Sequence, residues 1–376
     1  RIADAGQLRR ALFICDRDEL RNQAAAALQR IFGSDAAVVS HGNPQKNARL
    51  LVATYQTLGV DAEEADANFL INNYPENYFS HIVIDECHRS AWGKWSLVLT
   101  RNPDAVQVGL TATPRFIENE ETTKENQADT TISADNVRYF GEPVYEYDIS
   151  QAIEDGYLAA CEIIKRDVFL DNNLQTEREI GIKQTDLVNK DIRDAVTGEK
   201  TSVEDVEQYY TALSFESRLI LPERVNEMCR DLFDLLVSTG VPEQKTIIFC
   251  ASDNHADSVA STLNNLYALW CEENNYQRAD PYAFKCTAAT NGGSYIADMR
   301  GSTNHHFIAT TVDLLATGVD VPAVQNIVFF RYVRSVIAFY QMIGRGTRLY
   351  IPNDKLMFRV YDYTNATRLF SKGFKS

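Results

Sequence analysis

Two adjacent carboxylates, Asp85 and Glu86, close the apolar run His81-Ile82-Val83-Ile84. An acidic pair at a strand end suits Mg²⁺ and a water: Asp85 can hold the metal, mainly through its waters, while Glu86 orients and deprotonates the water that attacks a terminal phosphate. Far along the chain, Gln341-Met342-Ile343-Gly344-Arg345-Gly346-Thr347-Arg348 presents two guanidinium groups from a glycine-broken helix start. Planar guanidinium forks match phosphate oxygens and stabilise charge on a transferring phosphoryl group. A spacing of three puts Arg345 and Arg348 on one helix face. A solvated arginine face is the plain alternative, but the helix propensity lost at Gly344 and Gly346 argues against it. Together the two segments read as a nucleoside-triphosphatase motor.

Other side chains fit around this chemistry. Thr111 and Thr113, in Thr111-Ala112-Thr113-Pro114, offer hydroxyls that can hydrogen-bond to the acidic site and sense the phosphate, and His88 could couple that site to the neighbouring strand end. Taken singly, Asp-Glu-x-His also reads as an exposed strand-to-loop turn, and Thr-Ala-Thr-Pro as a strand stopped by proline. In the Thr310 to Pro322 block, the Thr310 and Thr311 hydroxyls suit a nucleic-acid backbone, while Gly318 and Asp320 can approach a nucleotide; a tight turn is the alternative. Glu243-Gln244-Lys245, with Asp231 and Asp234, imitates a metal-dependent nuclease but lies at a strand start. His305-His306 reads as a strand start as well.

These residues need a frame that holds strand ends together. Short apolar runs at Leu12–Cys15, Val38-Val39, Leu50–Thr54, His81–Ile84 and Ala105–Leu110 alternate with helical stretches such as Asn22–Ile31. That alternation predicts a parallel α/β sheet with its ligand site at the carboxyl ends of the strands. The stretch 119–136 is polar and reads as a surface loop. Strands are expected at Ala159–Phe169, Lys245–Cys250, His306–Thr311 and Asn326–Phe330, and Met357–Asp362 is expected to close a second sheet. Ser252-Asp253-Asn254 should cap the helix that runs through Tyr267. The chain thus divides into a first domain, 1–150, and a second, 151–376, with an insertion or linker at about 171–219. Two such sheets in tandem suggest a cleft between them.

Composition fits two packed domains: 45% of the residues are apolar and 10% aromatic. No stretch reaches the roughly 18 to 20 apolar residues of a membrane span. The seven cysteines are scattered without a Cys-x-x-Cys pair, which favours a reducing cytoplasm over a zinc module. A net charge of −15 opposes general nucleic-acid binding. Acidic residues nevertheless concentrate at 61–66, 118–129 and 167–207, whereas 331–348 is basic, so a local basic track is expected on an acidic body.

The ordered series Asp16-Arg17 with Glu19-Leu20, Thr54-Tyr55-Gln56, Asp85-Glu86-Cys87-His88-Arg89-Ser90, Gly109–Pro114, Ile247–Cys250, Thr310–Pro322 and Gln341–Arg348 resembles superfamily 2 helicase-like motors. Within these it is most similar to the R subunit of type I restriction-modification enzymes, through His88-Arg89-Ser90, Tyr139–Tyr147 with Ala152–Leu158, and Ile343–Leu349. The resemblance implies an α/β chain of two tandem RecA-like domains that hydrolyse ATP with Mg²⁺ and translocate on double-stranded DNA. It implies methylation and specificity subunits as partners, no membrane, and a cytoplasmic location. Asp85 and Glu86 become the acidic box, Thr111 and Thr113 coupling residues with His88 and Gln341, Gly318 and Asp320 a nucleotide-facing turn, and Arg345 and Arg348 arginine fingers. Arg17, Thr54, Gln56, Thr310 and Thr311 would touch the DNA backbone.

That family pattern opens with a Gly-x-x-x-x-Gly-Lys-Ser/Thr loop whose backbone N–H groups cradle phosphates. The 376 residues contain no such loop and no nuclease domain. The expectation is a fragment of a longer protein that alone binds ATP poorly. Two rival readings stand beside the translocase: another superfamily 2 DNA or RNA helicase, and a non-catalytic DNA-binding scaffold.

Overall fold

The computed structural model describes residues 1–15, 18–59, 69–87, 96–111, 138–166, 182–183, 190–194, 197, 199–202, 209–210, 219–287, 292–301, 304–312 and 321–371. The chain forms two compact units, Arg1–Glu146 and Tyr147–Ser376.

In the first unit five strands, β1 (Ala11–Cys15), β2 (Ala36–Val38), β3 (Leu50–Thr54), β4 (His81–Ile84) and β5 (Val106–Gly109), lie in the order β2-β3-β1-β4-β5. Every pairing is parallel. A parallel strand covered on both faces must be apolar throughout, and β3, Leu-Leu-Val-Ala-Thr, is buried at each position. Alternation survives at the edge, where Val106 and Val108 of β5 are exposed. Leu12, Ile14, Leu51, Ala53, Ile82 and Ile84 join Tyr74 and Phe79 in one core. The helix Asp18–Phe32 returns the chain from β1 towards β2. Short helices Phe69–Asn73 and Leu97–Thr100 complete the described part of the unit.

The second unit begins with the helix Ile149–Glu154, whose N-cap Asp148 accepts a hydrogen bond from the Gln151 amide. Its first strand, β6 (Ala160–Lys165), is followed by two small antiparallel pairs. In one, β7 (Ile182–Lys183) joins β9 (Tyr209–Tyr210); in the other, β8 (Arg193–Asp194) joins β10 (Leu219–Ile220). The main sheet adds β11 (Thr246–Phe249), β12 (Ala283–Lys285), β13 (Ile308–Thr311), β14 (Asn326–Phe329) and β15 (Met357–Asp362), in the order β12-β13-β11-β14-β15-β6. All of its pairings are parallel. Sequence reading had β15 closing this sheet. Instead β6 pairs with β15 along all six of its residues and forms the edge.

Helices Pro222–Ser238 and Asp253–Glu273 cover one face of that sheet. The first carries Val225, Met228, Cys229, Leu232 and Leu236 at helical spacing, and these pack with Val259, Leu263 and Tyr267 of the second onto Ile248, Ile308 and Val328. The expected cap is present: Ser252 Oγ accepts from the His255 amide at 3.3 Å. Burial holds the His255 imidazole down to about 4 and therefore neutral, with Nδ1 accepting from the Ala251 amide. Among the described residues, no helix is long and apolar enough to cross a membrane.

Candidate functional site

Parallel strands deliver all their carboxyl ends to one sheet edge. In the first unit that edge carries the Thr54 to Thr57 turn after β3, Asp85-Glu86-Cys87 after β4, and Leu110-Thr111 after β5. Backbone hydrogen bonds carry the sheet past its formal strand ends: the Asp85 amide donates to the Ile14 carbonyl (2.9 Å), Leu110 to Ile84 (2.8 Å), and Cys87 to Leu110 (2.9 Å). The acidic pair and Thr111 thus emerge from neighbouring strands tied across their ends.

Between those bonds Glu86 adopts φ +52°, a left-handed conformation that L residues other than Asn, Asp and His seldom adopt. Its amide donates to Asp85 Oδ1 at 3.1 Å. Such conformations persist where surrounding bonds over-determine them, and they cluster at functional sites. Consecutive carboxylates at this edge form a hard oxygen donor set, which suits Mg²⁺. Burial, together with the charges of Glu86 and Asp85, pushes the Cys87 thiol up to about 11, so it stays protonated beside them.

Close packing fixes the two strand ends. A Cβ on Gly109 would lie 2.7 Å from Cys87 Sγ and 3.2 Å from Phe140 Cζ, so only glycine lets β5 approach here. Gly109→Ala should therefore destabilise the first unit by about 1–3 kcal/mol through overpacking. Urea midpoints measure this, and Cys87→Ala in the same chain should return part of the loss.

Thr54 and Gln56 separate in role. Thr54 is buried, its Oγ1 2.9 Å from Thr57 Oγ1 and accepting from the Thr57 amide, so it ties the turn to itself. Gln56 is exposed on that turn.

In the second unit β13 ends in Thr310 and Thr311. Contrary to the expectation of a nucleic-acid contact, Thr310 is fully buried and donates to the Ala256 carbonyl at 2.9 Å. It is an internal tie between β13 and the helix above it. Thr311 is also fully buried, so it too is no surface contact, and among the described residues its Oγ1 has no hydrogen-bond partner.

The arginine segment needs a second correction. Its helix spans Val336–Ile343, capped by Ser335 Oγ on the Ala338 amide (3.0 Å), and it stops at Gly344. Arg345 and Arg348 therefore follow the helix instead of sharing a face of it. The physical reason lies in the two glycines. Gly344 caps the carboxyl end, and Gly346 sits so close to the Phe358 ring that any Cβ would overlap it. Thr347 Oγ1 donates to the Gly344 carbonyl (3.0 Å), the Ala159 amide to the Thr347 carbonyl (2.7 Å), and Arg348 bridges to Leu158. Gln341, half-buried, is the polar member of an otherwise apolar helix. Arg345 is half-buried and Arg348 exposed.

Sequence reading passed over Lys355, which lies under this turn. It is 4% exposed, and its Nζ donates to the carbonyls of Pro322 (2.9 Å), Gly346 (2.8 Å) and Arg348 (2.7 Å). A lone lysine in a polar stretch carries no sequence signal for such a place.

The decoys have internal partners. Lys245 Nζ donates to the carbonyls of His305 and His306 and lies over the Phe307 ring, Glu243 accepts from Tyr267, and Asp231 binds Arg166 and Tyr363. His305, His306 and Asp298 bring donor atoms within 4.8 Å of one another. The two Nδ1 atoms are 2.6 Å apart, at hydrogen-bond distance from each other. His88, Thr113, Gly318, Asp320, Arg17 and the polar loop 119–136 lie outside the described residues.

Comparison with known proteins adds to this geometry. Residues 1–116 match the family described as "Type III restriction enzyme, res subunit", and 227–350 the "Helicase conserved C-terminal domain". Over 368 residues the chain is 31% identical to the endonuclease subunit of the type I restriction enzyme EcoAI from Escherichia coli. That alignment covers 96% of this chain and 41% of the subunit, so the chain spans less than half of that relative. A fragment structure named as an HsdR subunit of a type I restriction enzyme from Vibrio vulnificus YJ016 is 27% identical, with a TM-score of 0.63 over 98% of this chain and 56% of that one. The Type ISP restriction-modification enzyme LlaBIII, described as ATP-dependent and bound to DNA, has a TM-score of 0.55 at 15% identity over 93% of this chain and 24% of that one, and shares the fold. The two parallel sheets are tandem RecA-like domains.

Proposed function

Because this chain belongs with the endonuclease subunits of type I restriction enzymes, as a homologue with helicase-type domains, we propose that it is the ATP-driven motor of such a subunit. In this reading it moves double-stranded DNA towards a nuclease, working beside methylation and specificity subunits. The observation that carries it is the acidic pair after β4, held in register with Thr111 at the strand edge where a RecA-like sheet places its ligand.

Each residue then has a task. Asp85 holds Mg²⁺ mainly through water, and the ion, when bound, neutralises charge on phosphate oxygens. Glu86 orients the attacking water and takes its proton. Thr111, with Thr113, His88 and Gln341, couples the state of that site to the DNA-holding segments. Arg345 and Arg348 donate to oxygens of the transferring phosphoryl group, and Gly318 with Asp320 faces the nucleotide. Arg17 and Gln56 serve the DNA backbone, with Thr54 shaping the turn that presents Gln56.

In the full-length gene product, assembled with its partner subunits, duplex DNA should stimulate ATP turnover. Displacement of a triplex-forming strand should report movement along the duplex, without strand separation. Efficient separation of the duplex would favour the helicase reading, and absence of turnover in the folded complex would favour the scaffold.

A further inference from the structure

We propose that Lys355 is a positioning residue of the motor: its ammonium binds the arginine turn at Gly346 and Arg348 to Pro322, the end of the Thr310 to Pro322 block, and so sets where Arg345 and Arg348 stand. The inference rests on the reading of those arginines as phosphate-facing groups.

Local chemistry explains why a cation belongs there. The helix Val336–Ile343 ends abruptly, and the carbonyls beyond its last turn lose their helical partners. The end of a helix also carries partial negative charge, which a lysine complements. An ammonium has three donors, and the backbone presents three acceptors within 2.9 Å, so every proton is used. The loop that delivers Lys355 is stiff. Tyr350 and Lys355 exchange backbone hydrogen bonds in both directions (3.2 and 3.1 Å), a 3-10 turn spans Ile351–Asn353, and Asp354 reverses the chain at φ +50°. On its other sides the turn meets the Phe358 ring and the Ala159 amide.

Energetics separates positioning from simple stability. Among the described residues this ammonium has carbonyls and no carboxylate at its Nζ, so it loses hydration without an ion pair, an arrangement that a well-packed apolar residue often matches or betters in stability. Burial and the neighbouring Arg348 charge pull Lys355 down to about 8, in keeping with an ammonium withdrawn from water. What methionine could not supply is a simultaneous grip on three carbonyls from two separate segments. Those segments carry the phosphate-facing arginines and the residues that follow the nucleotide-facing turn. Fixing their spacing matters because a misplacement of about 1 Å can lower a rate by about 100-fold.

The test uses the full-length gene product with Lys355→Met, Lys355→Gln and Arg348→Ala, and Lys355→Met combined with Arg348→Ala. Lys355→Met should lower kcat for DNA-stimulated ATP turnover by about 10- to 100-fold with a much smaller change in KM for ATP, and Lys355→Gln should fall between it and the parent. Trypsin should cleave after Arg345 and Arg348 faster in Lys355→Met, a readout independent of turnover. The double variant should be slower than Arg348→Ala alone, but by less than Lys355→Met costs the parent, since part of that cost acts through Arg348 and the rest through Arg345. Normal kcat and unchanged cleavage in Lys355→Met, beside a slow Arg348→Ala, would overturn the positioning role while leaving the arginine reading intact. A normal Arg348→Ala would instead remove the arginine reading on which the inference rests. Loss of circular-dichroism helix signal in both the Met and Gln variants would also overturn it, because the lysine would then serve folding first.

Discussion

Glu86→Gln is expected to lower ATP turnover in the full-length gene product by on the order of 10²- to 10⁴-fold while ATP still binds. That span corresponds to about 3–5 kcal/mol of transition-state stabilisation. Glutamine keeps the length and shape of the side chain and its capacity for hydrogen bonding, but it cannot accept a proton from water. The backbone at this position is fixed from both sides, by the Asp85 amide on Ile14 and the Cys87 amide on Leu110, so the amide side chain should follow the same course as the acid. The left-handed φ of +52° is no worse for glutamine than for glutamate. Steady-state turnover with duplex DNA, set beside equilibrium binding of a fluorescent ATP analogue, separates the two effects. Unaltered turnover would remove Glu86 as the base. Lost binding with the fold intact would place the residue in nucleotide binding instead.

Much of this frame is legible in the chain because parallel strands buried on both faces must be continuously apolar. Leu50–Thr54 and Lys245–Cys250 could be read for that reason, and they correspond to β3 and β11. The same rule hides other things. With both faces buried, alternation cannot tell which threonine points where, so the sequence offers Thr54 and Thr310 as surface contacts although both hydroxyls are spent internally. Strand β12, only three residues long, is too short for any periodicity to mark. The edge role of β6 is a matter of sheet order across a long sequence separation, which local pattern does not encode. At Gln341–Arg348 the three-residue spacing suggested a helix face, while the two glycines were the better guide. They end the helix, and the close contact of Gly346 with Phe358 needs the chain to leave it. Lys355 is the plainest case of a role that exists only in three dimensions.

Arg348→Ala is expected to slow ATP turnover on the order of 10³-fold with little change in thermal stability. The structure bears on the second half of this expectation. The side chain is exposed, so its removal takes no packed surface from the core. Its main chain is held independently of the guanidinium, through the Lys355 ammonium on its carbonyl at 2.7 Å and the bridge to Leu158. The turn should therefore persist in the variant and carry Arg345 unchanged. A guanidinium acting on charge that develops in transfer affects kcat more than KM, because the ground state uses it less. Lysine should rescue poorly, since a point charge does not reproduce a planar fork with two parallel donors. Turnover and KM for ATP in Arg348→Ala and Arg348→Lys, with melting temperatures as a control, measure this. Equal falls in kcat/KM through KM alone would assign Arg348 to ground-state binding, and full activity of the lysine variant would show that charge without the fork is sufficient.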